Sequence, residues 1–205
     1  MRLTKLHLAV VGAAAALAAC TPAAEDPQDV FFNTIAAHCG NAYEGRVTSG
    51  NPETDATWMN NRIVIEVREC TENRIRIPLH VGDNHSRTWI ITRLPQGGLE
   101  LKHDHRLEDG SHDPMTMYGG STVTPGTPTA QAFPADEYSK QLFTELDATV
   151  SITNTWWLSF PDENTMRYRL SRENREFHVD VDLSSPLPAD DFPPLPWGWE
   201  DHYQY

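Results

Sequence analysis

The chain is short of basic charge: 16 Lys and Arg stand against 29 Asp and Glu in 205 residues. An acidic surface repels phosphate backbones and anionic head groups, so no DNA or RNA partner is expected. Cysteine is scarce. Only Cys20, Cys39 and Cys70 occur, and no Cys-x-x-Cys pair is among them, which argues against a thioredoxin-type redox centre. The His-Glu-x-x-His zinc-protease pattern, the Gly-x-Ser-x-Gly elbow and a glycine-rich phosphate cradle after a strand are all missing. No repeat recurs at a fixed period. Beyond the first twenty residues no apolar run approaches the ~20 residues that a membrane-spanning helix needs.

What is present begins at the N terminus. Arg2 and Lys5 precede a mostly apolar run over residues 6–17, and Leu17-Ala18-Ala19-Cys20 closes it with small residues. This order resembles the bacterial lipoprotein signal: residues 1–19 would be the leader and Cys20 the lipid-carrying first residue of an exported protein. The alternative is an uncleaved helical anchor. Thr21 lacks the aspartate associated with inner-membrane retention, so the resemblance implies an outer-membrane anchor facing the periplasm. Loss of Arg2 and Lys5 leaves 14 basic against 29 acidic side chains, a mature net charge of 14 − 29 = −15. Membrane contact is therefore expected through lipid on Cys20, not through a basic face. Residues 20–29 read as a lipidated, proline-containing tether. In an oxidising compartment Cys39 and Cys70 are expected to close a disulfide, the alternative being two separate thiols.

Residues 30–38 have helical spacing, with Phe31, Ile35 and His38 on one side and Gly40 as a stop. They predict a short helix lying against the core or plugging one end of it. From Ala42 the period is two. Tyr43, Gly45 and Val47 alternate with polar neighbours, as do Ile63, Ile65 and Val67, then Ile75, Ile77, Leu79 and Val81. Another strand covers residues 88–94. Leu99, Leu101, His103, His105 and Leu107 form the next row, and the segments around Tyr168 and Val179 repeat the pattern. Short turn-like joints connect them. The chain is thus predicted to be mostly β: an antiparallel up-and-down meander of about eight or nine strands, closed into a barrel because an open sheet leaves two bare edges. A two-sheet β-sandwich is the alternative. Pro78 inside a strand calls for an edge or a bulge. Residues 119–133 read as a long loop. A helix is expected from Pro134-Ala135-Asp136-Glu137, with Tyr138, Leu142, Phe143 and Leu146 on its apolar side. A strand then covers residues 150–160, with Trp156, Leu158 and Phe160 on one face. Residues 30–183 form a single domain in this reading. Residues 184–205 are rich in proline and aromatics. Phe192, Trp197, Trp199, Tyr203 and Tyr205 either pin this tail across the barrel or leave it mobile.

The densest polar stretch is residues 102–113 (KHDHRLEDGSHD). His103 and His105 fall on the inward row, between them Asp104, and beyond them Arg106. An imidazole on an apolar row needs a partner. Three readings compete. The histidines are satisfied core groups. Or they begin a metal site with His112 and Asp113, or with His80, His85 or Asp83, for a transition metal such as zinc. Or His103, His105, Asp104 and Arg106 contact a ligand or perform acid–base chemistry near the ordinary histidine pKa of about 6.5. The acids here lack the spacing of an EF-hand loop. Of Trp156 and Trp157, one ring should point in and one out. Arg74, Arg76, Arg167 and Arg169 should pair with acids on neighbouring strands.

The segments KHDHR (residues 102–106), EDG (108–110) and TMYGG (116–120) resemble an uncharacterised group of bacterial secreted proteins and lipoproteins, which implies no particular activity. In architecture the meander resembles the calycin barrels, which include the lipocalins, although the Gly-x-Trp signature is absent near the first strand. The leading expectation is a monomeric, lipid-anchored envelope protein that binds a small molecule. The alternatives are a metal- or histidine-dependent hydrolase using His103 and His105, and an interaction protein docking through its tail. No cofactor is established by the sequence.

Overall fold

The period-two segments pair into one antiparallel sheet in the computed structural model, which describes residues 24–199. The elements run α1 (Pro27–Ala36), β1 (Ala42–Ser49), α2 (Ala56–Met59), β2 (Ile63–Glu66), β3 (Glu69–Cys70), β4 (Arg74–Val81), β5 (Asn84–Arg93), β6 (Leu99–His105), β7 (Tyr118–Ser121), β8 (Ala130–Pro134), α3 (Glu137–Glu145), β9 (Thr155–Asp162), β10 (Thr165–Arg172) and β11 (Arg175–Asp182). The spatial order is β7-β6-β5-β4-β2-β1-β11-β10-β9-β8, with β3 also on β4. All these strands belong to one sheet, nearly closed into a barrel, and the sandwich is set aside. First and last strands are neighbours, Gly45 opposite Val181 and Val47 opposite Val179. The seam therefore falls in mid-sequence, between β7 and β8.

That seam corrects the expected loop over residues 119–133, whose two ends are the edge strands. Glycine hides β7 from a periodicity argument and also makes closure possible. A Cβ on Gly120 would collide with the Pro134 carbonyl oxygen, and one on Gly119 with that of Leu101. The Asp136 N–H donates to the Gly119 carbonyl at 3.0 Å. Ser139 Oγ accepts from the Gly119 N–H at 2.7 Å and donates to its carbonyl at 2.9 Å. The first turn of α3 thus binds groups an edge strand would leave bare. Asp136 caps that helix by accepting from the Ser139 N–H. With Ser139 turned to the seam, Tyr138 lies about 100° away around the helix. Tyr138 is consequently 50% exposed rather than inward, and Leu146, at the C-cap beyond the helix body, is 38% exposed, while Phe143 is buried. The following strand starts at Thr155, later than expected, because residues 149–151 form a 3-10 turn.

Pro78 sits where the neighbour of β4 changes from β2 to β3. Three steps along β4, from Leu79 to Arg76, face four on the partner, from Ile65 to Glu69. This bulge spares the ladder the N–H that proline lacks. Ile65, Ile77, Ile91, Leu101, Leu158 and Val181 fill the interior and are fully buried. Trp156 points in; Trp157 points out and donates from Nε1 to Ser171 Oγ at 3.2 Å. The outward arginines pair as the sequence suggests, Arg74 and Arg76 with Glu69, Arg167 with Asp180, Arg169 with Glu176.

One end of the barrel, its base, is plugged. Asp26 caps α1, Pro27 opens it, and Phe31, Phe32 and Ile35 are buried to 1% exposure or less. The helix thus begins inside residues 20–29, expected as tether. Gly40, at φ 85°, turns the chain out of the helix. The Cys39–Cys70 disulfide fastens that turn to β3, Cα atoms 6.3 Å apart. The opposite end, the mouth, carries α2, the segment between β6 and β7, the β4–β5 and β10–β11 turns and α3.

As far as Trp199 the tail is pinned to the outside of the barrel. The Leu187 N–H donates to the Ala42 carbonyl and the Trp197 N–H to that of His85. Arg62 grips Asp191 with two bonds, of 3.0 and 2.6 Å. The Trp199 ring is buried beneath the Arg76 guanidinium, 4.0 Å from its centroid. Outward side chains of β4 and β6, including Arg76, His80 and Asp104, are buried as well. The leader, Cys20, Tyr203 and Tyr205 lie outside the described residues. Among the described residues no helix is long and apolar enough to cross a membrane.

Candidate functional site at the barrel mouth

Strand alternation carries Leu99, Leu101, His103 and His105 inward along β6. The row stops there: Leu107 is 42% exposed, because the chain leaves the ladder for a turn closed by the Gly110 N–H on the Leu107 carbonyl. His103 is only 3% exposed. Its Nδ1 lies 3.2 Å from the Tyr118 carbonyl oxygen and its Nε2 3.2 Å from Tyr168 Oη. A carbonyl only accepts, so Nδ1 holds the proton and Nε2 accepts from the phenol. The ring stacks on Tyr118, centroids 4.7 Å apart. Burial, followed by the neighbouring His105, pushes its pKa down to about 3. His103 is a satisfied, uncharged core histidine.

His105 stands one step nearer the mouth, with Nε2 3.1 Å from Tyr118 Oη. Burial and then the Arg87 charge push its pKa down to about 4. Burial pushes the Tyr118 phenol up to about 12 and Tyr168 well above its usual 10. All four rings are neutral at pH 7. A general base works best with a pKa near the ambient pH, so neither histidine is well tuned for base catalysis there. The cluster is suited instead to donating and accepting hydrogen bonds.

The other residues expected beside them are dispersed. Asp104 and Arg106 point to the outer face, where Arg106 Nε donates to Asp104 Oδ1 at 3.1 Å and Nη1 to the Gly110 carbonyl. Their odd–even offset from the histidines forces this, so they do not share the inward site. His112 is an exposed neighbour of that pair, Nδ1 3.6 Å from Asp104. Asp113 stays near the site: its N–H donates to the His105 carbonyl at 3.0 Å. His80 and His85 meet each other, Nδ1 to Nδ1 at 2.8 Å, beside Trp197 of the tail. Among the described residues no three His, Cys, Asp or Glu side chains gather as a metal would require. His103, His105, His112 and Asp113 are split between the two faces of the sheet and do not form one ligand set.

The residue that completes the inward cluster is Arg87, and it was legible. Two steps back from Trp89 and four from Ile91, it belongs to the inward row. An expected strand start at Thr88 passes over it; β5 begins at Asn84. Arg87 pairs in register with His105. Its guanidinium lies 5.1 Å from the Trp58 ring centroid, and Nη1 donates to Asn84 Oδ1 at 2.7 Å. Trp58, from the short α2, packs edge-on to Phe177 at 5.3 Å. Parity with Leu170 and Phe177 brings Arg172 and Arg175 to the same rim. Arg172 donates to Asn154 Oδ1 at 3.0 Å, and Arg175 holds both oxygens of buried Asp55 at 2.7 and 2.6 Å. A cleft of about 510 Å³ opens on the β10–β11 side of this rim, lined by Gly50, Asp55, Leu170, Arg172 and Arg175 among others, with Trp58, Arg87, His105 and Tyr118 outside its lining. Trp58 has no periodic signal, since the segment between β1 and β2 is irregular.

Comparison with protein-family models, with curated proteins and with solved structures finds no match to this chain. The functional reading rests on its own residues and geometry.

Proposed function

We propose that this is a non-enzymatic small-ligand-binding module of the bacterial envelope, with its site at the barrel mouth. One observation carries the reading. The base is filled by apolar side chains and fastened by a disulfide, while the mouth gathers neutral hydrogen-bonding rings, arginines, an aromatic face and a cleft. Ligand sites combine an apolar wall with a few placed polar groups, and Trp58 with His105, Tyr118 and Arg87 supplies that combination. His103, with both nitrogens engaged, supports the site from beneath. The closed disulfide and the leader-like N terminus support export; lipid on Cys20 as the anchor, an outer-membrane position facing the periplasm and a monomeric working form belong to the same proposal.

Native mass spectrometry of the exported protein tests this. A retained small molecule is expected in the wild type and is lost in Trp58→Ala while the fold persists. A folded protein that never carries a small molecule, or one whose bound molecule is unaffected by Trp58→Ala and His105→Ala, overturns the reading. Cys20→Ser should abolish incorporation of labelled fatty acid; undiminished labelling would remove the anchor.

A further inference from the structure

We infer that the mouth selects small anions: its ligand carries a carboxylate or phosphate group, held by Arg87, with Arg172 adding positive charge from elsewhere on the same rim. This deepens the ligand-binding reading above and rests on it. Among the described residues every arginine has a carboxylate within ion-pair distance except Arg46, Arg87 and Arg172. Arg46 is exposed on the outer face of β1, where water solvates it and Asp182 lies near enough to feel its charge. Arg87 and Arg172 are different. Both are partly buried, both take inward positions, and both stand at the mouth. Each has a neutral amide oxygen, from Asn84 or Asn154, where its siblings have a carboxylate.

That is an expensive arrangement for a protein with such an excess of acid. Removing a guanidinium from water without a counter-charge costs free energy. Among the described residues no acid nearby forms a direct ion pair with Arg87 or Arg172. Asp55 spends both oxygens on Arg175, and Glu176 spends both on Arg169. Asp113 influences Arg87 only through space. Burial and, after it, the neighbouring Arg175 disfavour the charge on Arg172. His105 and Tyr118 add hydrogen-bonding capacity without adding charge. An incoming anion would supply what is missing, since a guanidinium fork matches a carboxylate or phosphate edge with two parallel hydrogen bonds. The face of Trp58 would take the apolar body of the same molecule.

The test measures the melting temperature of the exported protein at fixed ionic strength with three probes: octanoate, its neutral counterpart 1-octanol, and inorganic phosphate. The wild type is expected to be stabilised by octanoate or phosphate, and at least tenfold more weakly bound by 1-octanol. Binding should weaken as salt rises. Arg87→Gln should lose at least tenfold in affinity for the anion, Arg87→Lys should recover part of it, and Arg172→Gln should lose a smaller factor. Arg46→Gln should bind like the wild type. Octanoate alone active assigns a carboxylate ligand, and phosphate alone a phosphate ligand; either supports the proposal. Equal binding of octanoate and 1-octanol, or folded Arg87→Gln and Arg172→Gln proteins that bind like the wild type, overturns it. If 1-octanol binds in a Trp58-dependent way while no anion does, the mouth is a ligand site and the anion inference alone fails. If none of the three probes binds the wild type, the anion inference fails; a Trp58-dependent molecule retained in native mass spectrometry then decides whether the mouth reading survives.

Discussion

The two ends of the barrel solve the same geometric problem in opposite ways. A barrel of this kind must be closed at each end or leave its interior wet. At the base, α1 inserts Phe31, Phe32 and Ile35, and Cys39–Cys70 fixes its exit to β3. At the mouth the inward rows end in His105, Arg87, Arg172 and Arg175, with Trp58 as an aromatic cover over Arg87. Apolar closure stabilises without selecting anything. Polar closure costs stability and creates recognition, because each polar group is either satisfied inside or available to a ligand. The contrast puts apolar closure at one end and the proposed ligand site at the other.

The largest effect that should separate the ends is Phe31→Ala. Deleting a fully buried ring should cost about 3–5 kcal/mol in urea unfolding while leaving any mouth ligand bound. Removing the disulfide by Cys39→Ser with Cys70→Ser should cost about 2–4 kcal/mol, again without loss of binding in the protein that remains folded. Equal loss of binding in these base variants would erase the division of labour.

Acid should act through the polar layer. Above pH 6.5 a histidine is neutral in both folded and unfolded chains, so His103 adds no slope. Below it the unfolded chain takes up a proton that folded His103 refuses until about pH 3. The unfolded state then binds more protons, and stability falls as pH falls. Between pH 6.5 and 5 the loss is about 2 kcal/mol for His103 alone, before carboxylates such as Glu176, held down to about 2 by Arg169, begin to titrate. His103→Gln should make the slope in that window shallower by its own share, His80 and His105, held down to about 3 and about 4 by burial, keeping theirs; an unchanged slope would show that this ring is not the buried neutral group described. The smallest effect is at the cover. Trp58→Ala should cost about 1–2 kcal/mol because the ring is only partly buried, yet it should lose the ligand. A larger cost with binding retained would make Trp58 part of the core instead.

Much of this was legible in the sequence. The inward rows of β4, β6, β10 and β11 stand out because apolar residues there alternate with polar ones at a period of two. The disulfide follows from the pairing of the two cysteines, and His103 and His105 follow from parity. The seam did not show: Gly119 and Gly120 carry no side chain to reveal a period, and their use depends on Pro134 and Ser139 arriving from elsewhere. The buried outer face was equally hidden. Arg76, His80 and Asp104 read as solvent-facing residues until the tail lays Trp197 and Trp199 beside them, which no local pattern encodes. The same step misjudged Asp104 and Arg106, adjacent to the histidines in sequence yet opposite in space. Arg87 needed only the row of Trp89 and Ile91 continued by one more alternation.

The most direct test of the central claim is a nuclear magnetic resonance titration of the disulfide-closed protein with octanoate, read residue by residue. Shifts concentrated at Trp58, Arg87, His105 and Arg172, with α1 and the Cys39–Cys70 region silent, are the expected result. Shifts centred on the base, or spread over the surface without saturation, would contradict it.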